Sequence, residues 1–100
     1  MTIKKLTDAA LTRLANELRI AHVNTDKAQA KFIARTDELK FKMDRQPNSY
    51  PNWLARRTFI VQDIERKDIL DDYQFWKGEE DRVAGMIMAE KALRDMGITY

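Results

Sequence analysis

Apolar and small residues recur from Leu11 to Met43 in steps of three and four: Leu11, Leu14, Leu18, Ala21, Thr25, Ala28, Phe32, Thr36, Leu39 and Met43. One step lengthens near Arg35-Thr36. This spacing places one seam of coiled-coil type along a single long helix. Thr7 stands before the pattern as a candidate N-cap, Asp8 suits the positive helix end, and Leu6 with Leu11 fits a hydrophobic staple. The first arm is therefore expected over residues 7–45, with small residues (Ala21, Thr25, Ala28) at its waist.

Both prolines fall in the run Gln46-Pro47-Asn48-Ser49-Tyr50-Pro51-Asn52. Proline lacks the amide proton and pushes its predecessor out of the helical region, so residues 46–52 form a turn. Asn52 or Ser49 can cap a second arm. Beyond it the apolar phase slips, because Ile60 and Ile64 lead to Ile69, Tyr73 and Trp76 through a five-residue step. The second arm is thus expected to be kinked or split, over 53–67 and 69–96, with Asp68 capping a restart. Gly85, with Ala84 and Ala89, is a candidate site of close helix approach. Gly97 suits the left-handed position after the last turn, with Ile98 reaching back to Leu93. The fold class is an all-α antiparallel hairpin forming one domain. Folding about residues 48–50 would set Tyr73 opposite Thr25, and Trp76 opposite Ala21 and His22.

Ile20, Val23, Ile33 and Phe41 fall off the first seam. A two-helix hairpin cannot cover them, so either a third helix folds back over them, or they mark a surface for self-association or a partner protein, or they are scattered exposed residues.

Composition narrows the chemistry. The chain of 100 residues has no Cys, which excludes disulfides and thiolate zinc sites. No apolar run approaches the ~20 residues of a membrane span, and the first residues lack the apolar stretch of a secretory signal. A cytoplasmic protein with no membrane contact is expected. His22 is the single histidine and has no readable catalytic partner. Asp68-x-x-Asp71 lacks the paired Glu-x-x-Glu that a magnesium-dependent hydrolase needs, and no glycine-rich phosphate loop is present. No enzymatic activity and no cofactor are expected.

Charge is distributed unevenly. Residues 27–57 hold eight cations against three carboxylates, and residues 63–81 hold the reverse. The two blocks can neutralise one another inside the hairpin, or the basic block can meet an anionic partner. Around the turn, Lys40, Lys42, Arg45, Tyr50, Trp53, Arg56 and Arg57 interleave cations with aromatic rings. Single-stranded nucleic acid is bound by this mixture, with cations along the phosphates and rings stacked on bases. The aromatic residues can equally anchor the hairpin tip. Arg56 and Arg57 near a helix start oppose the helix dipole, so helix stability does not explain them.

The run Arg66-Lys67-Asp68-Ile69-Leu70-Asp71-Asp72-Tyr73, then Lys77, Val83 and Ala89-Glu90-Lys91-Ala92-Leu93-Arg94, resembles the closing helices of small phage-encoded recombination-mediator proteins of the UvsY type. The similarity covers residues 60–96 and rests on helical texture. It implies a phage-encoded accessory protein that oligomerises, binds single-stranded DNA and helps to load a recombinase. The alternative function is a helical module that binds or inhibits a host protein.

Overall fold

The computed structural model describes residues 7–97. Three helices follow in order: α1 (Asp8–Asp44), α2 (Trp53–Val61) and α3 (Ile64–Asp95). Among the described residues there is no strand. Helix α1 packs along α3 as an antiparallel hairpin, and the short α2 lies at the turn end. The molecule is a rod of 69 × 22 × 19 Å with a radius of gyration of 21.0 Å. A globular chain of this length would have a radius near ~13 Å, so the hairpin remains extended with a thin core.

Capping sets the helix starts. Thr7 is extended, and its hydroxyl accepts from the Ala10 amide at 3.1 Å. Asn52 does the same for α2 through Oδ1 and the Ala55 amide, 2.9 Å, with Pro51 just outside the helix. Helix α3 ends at Met96 as C-cap, and Gly97 takes φ +71°, the left-handed conformation that glycine tolerates best. Leu6 of the staple and Ile98 of the stop signal lie outside the described residues.

The α1 seam forms as its spacing predicts. Leu14, Ala21, Thr25, Ala28, Leu39 and Met43 are buried, and the intervening seam members are half-buried. Buried Thr25 donates its hydroxyl to the Ala21 carbonyl one turn back, 2.8 Å, which satisfies the polar atom within the helix.

The second arm is split, but five residues earlier than its apolar phase suggests. The break falls at Gln62-Asp63, and Asp63 caps α3 by accepting from the Arg66 amide at 2.8 Å. Asp68 lies inside a continuous helix. The five-residue step disappears because Ile64 is exposed and Arg66 takes the seam position. From there half-buried or buried residues run regularly through Ile69, Tyr73, Trp76, Glu80, Val83, Ile87 and Glu90. The guanidinium of Arg66 lies 4.3 Å from the centre of the Phe32 ring and donates to Thr36 Oγ1 at 2.9 Å. A cation thus does what the pattern assigned to an aliphatic residue.

Near the turn the register is the expected one, with Arg35 on Asp63 and Arg66 on Phe32, and it slides by about one turn toward the open end. His22 meets Glu80, one turn beyond Trp76: Nδ1 lies 3.3 Å from Glu80 Oε1. At the open end Arg94 pairs with Asp8 at 3.2 Å. Gly85 is exposed, and a Cβ built on it would meet nothing within 4 Å, so it serves no close approach.

Candidate nucleic-acid interface

Helical spacing assembles the turn end from both arms. Trp53, Arg56, Arg57 and Ile60 stand three and four residues apart on α2, and Lys40, Met43 and Asp44 do so on α1. Together with Val61 and Arg66 they line one groove, with a cavity volume of about 480 Å³. Met43, Ile60 and Val61 give it an apolar floor. Four cations face a single carboxylate, that of Asp44, which Arg56 already holds through Nη2 to Oδ1 at 2.6 Å. Trp53 is 71% exposed, and the guanidinium of Arg57 sits 5.5 Å from its ring centre.

The structure does not gather all seven expected contact residues on one surface. Lys40, Trp53, Arg56 and Arg57 belong to this groove, whereas Lys42, Arg45 and Tyr50 line a second one with Gln46 and Phe59. On that side Tyr50 packs its ring on Phe59, centroids 4.7 Å apart, so it closes the tip instead of standing free. Arg45 lies over Phe41 at 5.5 Å, and Lys42 reaches Glu38 at 3.8 Å. Arg56 has its acidic partner inside the chain, which accounts for a cation in the first turns of α2. Arg66 joins the Trp53 groove although the basic-block pattern does not include it. Its signal in the sequence is a charge at the seam position three residues before Ile69.

Opposite charge blocks partly neutralise one another along the hairpin. Arg35 of α1 donates Nε to Asp63 Oδ2 at 2.9 Å and Nη2 to Asp63 Oδ1 at 2.8 Å, and reaches Glu65 at 3.2 Å. Both members of the Arg35–Asp63 pair keep only 15% of their side-chain surface exposed. Hydrogen bonding to Arg35 holds the Asp63 carboxyl at about 2 and raises the arginine in turn. Glu80 is held below the usual carboxylate range, chiefly by its hydrogen bond with His22. Arg35 is therefore a structural cation, withdrawn from the basic surface at the turn.

Ile20, Val23, Ile33 and Phe41 are all exposed, at 51%, 42%, 51% and 61%, so the hairpin leaves this stripe uncovered. No helix of the described residues is long and apolar enough to cross a membrane. Among the same residues no group of three or more His, Cys, Asp or Glu is placed to hold a metal ion. Comparison with protein-family models, curated proteins and solved structures finds no match to this chain.

Proposed function

We propose that this chain is a non-enzymatic accessory protein, phage-encoded and cytoplasmic, that binds single-stranded nucleic acid during recombination or replication through the Trp53 groove. One observation carries the reading: a largely exposed indole stands with Lys40 and Arg57 in a groove whose one lining carboxylate, Asp44, is already held by Arg56. Cations track phosphates whatever the sequence, and an exposed indole offers a stacking face to any base. The similarity of residues 60–96 to recombination mediators supports the choice of process. Fluorescence anisotropy of a labelled single-stranded oligonucleotide tests it. Binding should be tight at low salt, weaken steeply as salt rises and fall in Arg57→Ala. Absence of binding at low ionic strength would reject the reading.

The exposed α1 stripe supports a second reading, a helical module that engages a host protein by laying α1 against an apolar groove. Capture of one stoichiometric protein partner, unchanged by nuclease and abolished in Val23→Asp, would favour it over nucleic-acid binding.

A further inference from the structure

The back of α1 repeats the seam pattern of its front. Ile20, Val23, Lys27, Ala30, Ala34, Asp37 and Phe41 follow alternating steps of three and four, and all seven are exposed, opposite the seam that meets α3. This is a second heptad seam facing away from α3, and it holds one cation and one anion at positions that a coiled coil fills with apolar residues. The apolar residues exposed on α3 make no comparable stripe, since Asp68, Asp71, Glu79 and Arg82 stand between Ile64, Phe75 and Met86.

The placement of the two charges selects one occupant and one orientation. In a parallel pairing in register, Lys27 would meet Lys27 and Asp37 would meet Asp37. In an antiparallel pairing about a two-fold axis at residue 32, Lys27 meets Asp37 of the second copy on both sides of the axis. The same register sets Val23 against Phe41 and Ala30 against Ala34, so small residues let the backbones approach at the centre, and Ile20 lies beside Asp44 of the second copy at the rim. Ile33 then lies beside its own copy next to the axis, and Glu17 flanks Arg45 of the second copy at the rim. Lys31 is the one flanking position that meets its own charge, and it lines a cleft with Asp68 and Asp72 of its own chain, which offsets that charge.

We infer that two copies of this chain associate through the outer face of α1 as an antiparallel, two-fold symmetric pair centred at residue 32. A charge at a core position lowers affinity and fixes register and orientation, and here it does so only when the two helices run in opposite directions. The pair sets the two turn ends about 40 Å apart along the shared axis, at ~1.5 Å per residue. It stands independently of any nucleic-acid binding.

Light scattering on the full chain tests the inference, with charge reversals as variants. The unaltered chain should run as two copies. Lys27→Glu and Asp37→Lys should each run as single copies, because each places like charges together twice. An equimolar mixture of these two variants should recover the pair, since each supplies the charge that the other lacks. The chain has no native cysteine, so engineered thiols report the direction. Val23→Cys mixed with Phe41→Cys should crosslink to one another, and Val23→Cys alone should not crosslink to itself. A single-copy mass for the unaltered chain, no recovery on mixing although both variants keep wild-type helicity, or efficient self-crosslinking of Val23→Cys would each overturn it.

Discussion

Arg35 and Asp63 form a two-point hydrogen-bonded ion pair between residues 28 apart in sequence, and Asp63 is also the residue that caps α3. One carboxylate therefore ends the connection from α2, starts the second long helix and ties that start to α1. Removing Arg35 leaves the part-buried Asp63 without its two-point partner, whereas Arg35 without Asp63 keeps Glu38 and Glu65. Arg35→Ala should cost about 1–3 kcal/mol in urea denaturation followed by circular dichroism. Asp63→Asn can still accept from the Arg66 amide and should be milder than Asp63→Ala, which loses the cap as well, worth ~1 kcal/mol. Equal losses for the two Asp63 variants would show that the cap contributes nothing.

Acid should loosen the hairpin in a defined window. The folded-state value of Asp63, about 2, lies below its ordinary 3.8, so the folded chain binds this proton less readily than the unfolded one. That stabilisation is complete above roughly pH 4 and is lost as pH falls toward 2. Glu80, lowered by its hydrogen bond with His22, acts in the same direction. Melting temperature should therefore drop through this acid limb, and Asp63→Asn should flatten it. An acid limb as steep in Asp63→Asn as in the unaltered chain would assign the loss to other carboxylates.

The three glycines should respond with opposite signs. Gly78 and Gly85 lie inside α3 with nothing within 4 Å of a built Cβ, so alanine at either position should stabilise by about 0.5–1 kcal/mol. Gly97 has φ +71°, and alanine there should cost about 1 kcal/mol. Thermal melts of the three single variants check the order.

Nucleic-acid binding should depend on one side of the turn. Lys40→Ala and Arg57→Ala should each weaken single-strand binding uniformly across base sequences and flatten the salt dependence by ~0.7 for each phosphate no longer neutralised. Trp53→Ala should cost about 1–3 kcal/mol by removing a stacking face. Lys42→Ala, in the groove on the other side, should leave affinity and salt slope nearly unchanged. Equal effects from both sides would point to a diffuse electrostatic surface instead of the Trp53 groove.

Local rules wrote most of this architecture into the chain. The three-and-four spacing from Leu11 to Met43, the caps at Thr7 and Asn52, the prolines at 47 and 51 and the left-handed Gly97 each act through neighbours within a turn or two, so the amino-acid sequence alone determines α1, the hairpin turn and the end of α3. It equally identifies Ile20, Val23, Ile33 and Phe41 as residues the seam cannot bury. Tertiary pairing decided the rest. The break at Gln62-Asp63 holds because Arg35 reaches the cap from another helix, and the phase slip vanishes because Phe32 and Thr36 receive a cation, Arg66, in place of Ile64. The division of the basic turn into two grooves likewise follows from where Asp44 and Phe59 stand to receive Arg56 and Tyr50. Periodicity measures apolar side chains one helix at a time; it carries no record of a guanidinium whose stem packs and whose charge is met by residues far along the chain.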